Sequence, residues 1–108
     1  GATVTLPNIG TYLLQAQVTG EATSDVDIIF ILARLFNATT STVLGFEGVV
    51  THVGPVATLF NQGTCTLIAR VTTASINNVI NVQAKHSDTT GTPTATIRTV
   101  LLIYTQIA

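Results

Sequence analysis

A cysteine–histidine dyad in this sequence would have to use the single cysteine, Cys65, with one of the two histidines, His52 or His86. A cysteine nucleophile needs a base within hydrogen-bonding distance and a third group that orients the base. Cys65 occupies an apolar position of an alternating segment, so we expect it to point into a core. A lone cysteine also excludes an internal disulfide and a thiolate metal cluster. We therefore expect no enzymatic activity, no metal and no cofactor.

Two further patterns are compatible with a ligand but also with a structural role. Asp25 and Asp27 lie two residues apart, which places both carboxylates on one face of a strand. Such a pair can bind Ca²⁺ or serve acid–base chemistry, but we favour a solvated strand end whose charges block edge pairing. The segment Asn37-Ala38-Thr39 matches the N-glycosylation sequon. In a chain with 21 threonines we interpret that match as chance.

The composition excludes several classes of protein. Of the 108 residues 46% are hydrophobic and 8% are charged, the net charge is −1, and the mean hydropathy is +0.54. A disordered chain shows the opposite balance, and the longest apolar run, Ile28 to Ala33, is too short for a transmembrane helix. Since no basic patch is available, we expect no nucleic-acid partner, and we expect no membrane insertion. So few charges favour a surface that is covered in part by copies of the same chain.

Alternation of apolar and polar residues predicts an all-β fold with almost no helix. The residues expected to face inward are Tyr12, Leu14, Ala16, Val18, Cys65, Leu67, Ala69, Val71, Ile80, Val82 and Ala84. The predicted strands, about eight in number, are Thr3–Leu6, Thr11–Thr19, Asp25–Asn37, a bent strand or strand pair at Val43–Val53, Val56–Phe60, Thr64–Thr73, Ile76–His86 and Ala95–Ile107. Turns or loops are predicted at Gly20–Ser24, Ala38–Thr42, Asn61-Gln62-Gly63 and Ser87–Thr94. We expect one β-sandwich domain that covers residues 1–108.

Two of these strands are apolar on both faces. Hydrophobic residues fill both parities of Ile28–Phe36 and of Val100–Tyr104, whereas an antiparallel sheet normally keeps one face in water. A neighbouring subunit is the simplest cover. The predicted interface consists of Ile29, Ile31, Arg34, Leu35, Leu101, Ile103 and Tyr104. Arg34 either extends its charged end into solvent or pairs with Asp27 or Glu47 of a neighbour, because an unpaired buried charge is costly.

Short motifs resemble a known family. Pro7-Asn8-Ile9-Gly10-Thr11-Tyr12 is similar to the Pro/Gly-x-Tyr segment that begins the first long strand of the TNF-like jelly roll, the fold of complement-type globular heads. Leu59-Phe60-Asn61-Gln62-Gly63-Thr64-Cys65-Thr66-Leu67 resembles that family's leucine strand, glycine turn and next strand. The hydrophobic final strand, Val100–Ala108, also fits. The family's aromatic residues after the tyrosine are replaced here by Leu14 and Ala16.

The resemblance implies an antiparallel jelly-roll sandwich that assembles as a homotrimer. Such heads cap fibres, spikes or capsid surfaces of viruses, or collagen-like stalks in bacteria, and the Thr-rich, charge-poor composition favours a viral or bacterial-surface member. We expect a non-enzymatic structural head at the virion or cell surface that can contribute to attachment to a host receptor. The alternative is a carbohydrate- or protein-binding module on a bacterial surface or spore protein. The candidate ligand residues lie in two loops and are Thr39, Thr40, Asp88, Thr89 and Thr90.

Overall fold

The alternating segments form antiparallel strands throughout the residues that the computed structural model describes, which are 2–23, 29–54, 60–87 and 94–108. Over these residues the strands are β1 (Thr3–Leu6), β2 (Gly10–Thr23), β3 (Ile29–Asn37), β4 (Thr42–Val53), β5 (Phe60–Thr73), β6 (Asn78–Ser87) and β7 (Thr94–Gln106). Within the same ranges, no helix is long and apolar enough to cross a bilayer. The all-β prediction is confirmed.

The strands form two sheets with the orders β1-β6-β3-β4 and β5-β2-β7. The antiparallel pairs are nested along the chain, because β1 pairs with β6, β2 with β5 and β3 with β4. This is the pairing of a long hairpin wrapped into two layers. β7 continues beyond the nested pairs and adds to β2. Its other edge has no partner strand among the described residues, so β7 is an edge strand.

The core lies between the two sheets and contains every second residue of the long strands. Its largest fully buried side chains are Tyr12, Leu6, Leu14, Ile29, Ile31, Leu35, Ile80 and Val18, joined by Asn78. The inward positions predicted for β2 and β5 are confirmed, including Cys65, where burial raises the pKa of the thiol. Ala84 was expected to be buried but is exposed.

One side of the sandwich is closed by direct contact between β4 and β5. A Cβ atom at Gly63 would collide with the carbonyl oxygen of Val50, and one at Gly48 would collide with the Sγ atom of Cys65. Glycine at both positions lets the two strands approach closely. The opposite side, between β6 and β7, is less closely packed and holds an open depression of about 110 Å³ beside Ala84. That gap explains why Ala84 is exposed despite its inward position.

Two predicted turns are wrong. The structure extends β2 through Gly20 to Thr23, with a register shift at Thr19 and Gly20, and it extends β5 through Asn61-Gln62-Gly63. Gly20 and Gly63 are paired across the two strands. Their missing side chains serve close packing against β4, not chain reversal.

The remaining strand predictions are close to the structure. Val43–Val53 is a single strand, β4, with two register shifts against β3. Residues 24–28 and 55–59, which include most of the predicted strand Val56–Phe60, lie outside the described residues, as do residues 88–93. The described part of the sandwich therefore has seven strands where the sequence predicted about eight.

Tyr12 fastens the start of β2 to the preceding turn. Its buried hydroxyl donates a hydrogen bond to the Asn8 carbonyl at 2.8 Å and accepts one from the Asn8 amide at 3.0 Å. Its ring packs edge-on against Tyr104, with the ring centroids 5.8 Å apart. Tyr12 therefore bonds to both backbone groups of Asn8 while filling the end of the core, and the Thr73 hydroxyl donates a second hydrogen bond to the Asn8 carbonyl at 3.1 Å.

Substituting Tyr12→Phe should lower the free energy of unfolding by about 1–3 kcal/mol, since the Asn8 amide loses its hydrogen-bond acceptor, whereas the carbonyl keeps the bond from Thr73. Tyr104→Phe is the matched control, because the Tyr104 side chain is partly exposed and its hydroxyl makes no hydrogen bond to a described residue. Urea unfolding followed by fluorescence or circular dichroism measures both. Equal effects of the two substitutions would contradict the role assigned to the Tyr12 hydroxyl.

Candidate functional site

The centre of the outer face of the three-stranded sheet carries an apolar surface without charge. Strand register places Ile68, Gln15 and Ile103 in one row across the sheet, and Thr66, Gln17 and Leu101 in the next row. Ile68, Leu101 and Ile103 are between 48% and 60% exposed. We call these six residues the β7 face. Its side chains are aliphatic, amide or hydroxyl groups, and it contains no ionisable residue.

A shallow depression of about 170 Å³ lies in the β7 face between the glutamines and the residues of β7. The nearest charged residues on the same side of the sheet lie beyond the two ends of the depression. Arg70 pairs with Leu13 one row away, and Glu21 at the far end forms an ion pair with Arg98. Hydrogen bonds from Gln62 and Arg98 hold the pKa of the Glu21 carboxyl below its ordinary value. The centre of the face is thus suited to desolvation by another apolar surface.

The outer face of the four-stranded sheet has a different character because β4 is bulged there. Ala33 pairs with Gly48 and Leu35 pairs with Leu44, so residues 45–47 of β4 lie opposite the single residue Arg34. Gly45 supplies the positive φ of 72° that the bulge requires. The bulge leaves a depression of about 360 Å³, which we call the Arg34 pocket, lined by Leu32, Arg34, Glu47, Gln83, Ala84 and Lys85.

Arg34 is held in place within its own chain. Its Nε atom donates a hydrogen bond to Oε1 of Gln83 at 2.9 Å, and its guanidinium carbon lies 5.2 Å from the centroid of the Phe36 ring. The side chain is half-buried. The two terminal nitrogens have no hydrogen-bond partner among the described residues, so the forked end of the guanidinium remains open to the pocket's solvent.

Lys85 and Glu47 form a salt bridge of 3.6 Å across the same pocket. Lys85 is on β6 and Glu47 is on the bulged part of β4, so the pair spans β3. Both side chains are well exposed, and an exposed pair of this kind contributes about 0–1 kcal/mol to stability. The pocket therefore combines two cations, Arg34 and Lys85, with the carboxylate of Glu47.

Three of the residues predicted for a subunit interface are placed elsewhere. Ile29, Ile31 and Leu35 are at most 1% exposed and lie in the core between the sheets. Both faces of β3 are apolar, so the sequence could not tell which face is inside. The structure puts the odd-numbered residues inside and leaves Phe30 and Arg34 on the outer face.

The other predicted interface residues are at least partly on the surface. Leu101 and Ile103 belong to the β7 face. Tyr104 has the opposite parity, since it pairs with the buried Leu14 and packs against Tyr12, and it is 40% exposed at the end of the core. Arg34 is on the opposite face of the sandwich from Leu101 and Ile103. It bonds to Gln83 of its own chain, and pairing with a neighbour's Asp27 or Glu47 stays a prediction.

The two predicted ligand loops start at opposite ends of the four-stranded sheet. Asn37, before the first loop, pairs with Ile80, whereas Ser87, before the second, pairs with Phe30 at the other end of β3. Asp88, Thr89 and Thr90 lie outside the described residues. Thr39 and Thr40 are exposed, but they are held in a tight turn by hydrogen bonds. The start of the second loop is therefore about a strand length from the first.

The sequon residue Asn37 has a structural role. It is 2% exposed, and its Oδ1 accepts hydrogen bonds from the amides of Thr39 and Thr40 at 3.0 and 3.2 Å. Its Nδ2 donates to Oδ1 of Asn78 at 2.9 Å, and Asn78 in turn donates to the carbonyl of Ser75 at 2.9 Å. The two asparagines thus connect the turns at one end of the sandwich.

The remaining chemical candidates do not assemble into a site. Cys65 is buried in the core, while His52 is exposed on the outer face of β4 and stacks on Phe30 at 5.6 Å. Asp25 and Asp27 lie outside the described residues. No group of three or more potential metal ligands occurs within the described part of the chain.

Replacing Asn37 with alanine should cost about 2–4 kcal/mol in free energy of unfolding, because it leaves two turn amides and the buried Asn78 oxygen unpaired. Asn81→Ala is the control, since the Asn81 side chain accepts one exposed hydrogen bond from Thr3. Chemical denaturation of the two variants gives the comparison. A loss below about 0.5 kcal/mol for Asn37→Ala would refute the structural role of this residue.

Comparison with solved structures finds chains that are distantly similar in fold. A chain in the structure of infectious bursal disease virus, Gt strain, is similar over 97% of this chain, with 12% identity and a TM-score of 0.50. A chain in the Gx strain structure matches 97% of this chain with 13% identity and a TM-score of 0.47. This chain spans 27% and 26% of those two chains. No protein-family model and no curated protein matches the sequence. The similarity to the Gt strain chain shows a related fold.

Proposed function

We propose that this chain is a non-enzymatic structural subunit of a virion that associates with copies of itself through the β7 face. The observation that carries the proposal is the group of exposed aliphatic side chains, Ile68, Leu101 and Ile103, on a face without any ionisable residue. Burial of apolar surface contributes about 25 cal/mol per Å². Because the β7 face has no charged group, its burial removes no charge from water. Gln15 and Gln17 can form hydrogen bonds with each other or with bridging water.

The fold supports a jelly roll of the TNF-like kind. Three nested antiparallel pairs correspond to a rolled hairpin, and a jelly roll contains four such pairs. β7 would supply one strand of the fourth pair, which is consistent with its open edge. The Pro-Asn-x-Gly-x-Tyr segment that resembles the TNF-like family begins β2, and Tyr12 is its buried anchor. Such heads form trimers, and we propose a homotrimer here.

A cyclic trimer needs two different patches on each subunit, one for each neighbour. β7 suits this role because it presents an apolar outer face and, along its other side, an unpaired edge. One subunit's β7 face can pack against the neighbour's open side, around the exposed Ala84 and Ile97. Both patches then lie close to a single threefold axis.

A location at the virion surface and a contribution to host attachment are part of the same proposal. They are supported by the family resemblance and by the viral origin of the structures with a similar fold. The alternative is a carbohydrate- or protein-binding module on a bacterial surface protein. Binding through the two loops together is disfavoured, because the loops start at opposite ends of the sheet.

Substituting both Leu101→Asp and Ile103→Asp should convert the oligomer to a folded monomer. The two carboxylates would have to be desolvated in the contact, at a cost of several kcal/mol for each buried charge. Light scattering at micromolar concentration measures the mass, and circular dichroism confirms that the β structure is retained.

Ile76→Asp is the control for this experiment, since Ile76 is 60% exposed in the turn before β6 and lies outside the β7 face. We expect the native chain and the Ile76→Asp variant to have the mass of a trimer. A monomeric native chain would overturn the proposal, and so would a trimer that survives both substitutions in the β7 face.

A further inference from the structure

The Arg34 pocket has the features of a small-molecule site on the sandwich face opposite the β7 face. Its volume of about 360 Å³ falls within the range of about 300–1,000 Å³ that is common for ligand pockets. It results from the bulge in β4, and bulges are frequent beside functional sites. It combines an apolar wall, Leu32, with charged and amide groups.

The Arg34 guanidinium is preorganised for a carboxylate. The bond from Nε to Gln83 and the packing over Phe36 fix the guanidinium plane. The terminal nitrogens are therefore presented in one orientation without further loss of side-chain entropy. A guanidinium binds a planar carboxylate through two parallel hydrogen bonds, which are stronger and more directional than those of an ammonium group.

The charges of Glu47 and Lys85 restrict the chemical class of ligand that the pocket can bind. Glu47 accepts hydrogen bonds but repels anions, so the pocket as a whole is unsuited to a phosphate dianion. Hydroxyl groups can donate to Glu47 and accept from Lys85, which lie 3.6 Å apart. A pyranose ring with a carboxylate provides both kinds of group together with an apolar face for Leu32. An acidic peptide side chain provides the carboxylate without the hydroxyls.

We propose that the Arg34 pocket binds an acidic monosaccharide, such as a uronic acid or a sialic acid, with its carboxylate on Arg34 and its hydroxyls near Glu47 and Lys85. The inference rests on the attachment part of the proposed function and is independent of self-association through the β7 face. It moves the ligand site from the two loops to the bulged face of the four-stranded sheet.

Titration of the isotope-labelled full chain with methyl glucuronide tests this proposal, and methyl glucoside is the matched neutral sugar. We expect glucuronide to shift the amide resonances of Leu32, Ala84 and Lys85, and glucoside to bind about tenfold more weakly or worse. N-acetylneuraminic acid, inorganic phosphate and an aspartyl peptide are titrated in parallel. Light scattering on the same samples gives the oligomeric state, so the failure of one proposal is distinguishable from failure of the other.

Arg34→Ala should weaken glucuronide binding about tenfold or more, and Arg34→Lys, which keeps the charge but loses the fork, should also weaken it. Arg70→Ala removes a cation from the opposite face and should leave binding unchanged. Arg34→Lys serves as the test if Arg34→Ala does not fold.

Several outcomes would overturn the proposal. These are equal binding of glucoside and glucuronide, absence of shifts with both acidic sugars, or wild-type affinity in Arg34→Lys. Phosphate or the aspartyl peptide binding as tightly as the acidic sugars would assign the pocket to simple anions or to a protein partner.

Discussion

The close approach of β4 to β5 is the contact on which the shape of this molecule depends. Gly48 and Gly63 leave no room for a side chain between the two strands, since a Cβ would collide with Cys65 or with the Val50 carbonyl. The sandwich is therefore closed along this side and less closely packed along the other, where β6 and β7 leave Ala84 exposed. The open edge of β7 is on that less closely packed side.

Uncharged side chains make most of the hydrogen bonds to backbone groups at the ends of this sandwich. Hydroxyl and amide groups satisfy the backbone at the ends of the sandwich, as Tyr12 does for Asn8 and as Asn37 does for the turn after β3. Threonine hydroxyls bond across strands on the outer face, where Thr11 meets Thr72 at 3.0 Å and Thr19 meets Thr64 at 3.2 Å. The ion pairs Lys85–Glu47 and Arg98–Glu21 lie at the surface, where such pairs add little to stability.

Alternation in the sequence was sufficient to predict most strands and the inward residues of β2 and β5. It could not orient β3, because apolar residues occupy both faces, and so Ile29, Ile31 and Leu35 were assigned to an interface although they form the core. It also misread Gly20 and Gly63 as turn residues, since close packing between sheets has the same local signature as a turn.

The Arg34 pocket was beyond sequence analysis for a similar reason. It depends on the register between β3, β4 and β6, which brings Gln83 and Glu47 to Arg34 from distant parts of the chain. The glycines at 45 and 48 were a local sign of the bulge. Only the assembled sheet shows that Arg34 is the β3 residue without a paired residue on β4.

The central claim is that the β7 face is covered in the native protein. Hydroxyl-radical footprinting at micromolar concentration tests it most directly, because labelling of leucine and isoleucine depends on solvent access. Leu101, Ile103 and Ile68 are 53%, 48% and 60% exposed in the isolated subunit, and the reference residues Ile9 and Ile76 are 62% and 60% exposed. The account predicts strong protection of the first three relative to the two references. Labelling of all five in proportion to these exposures would contradict it.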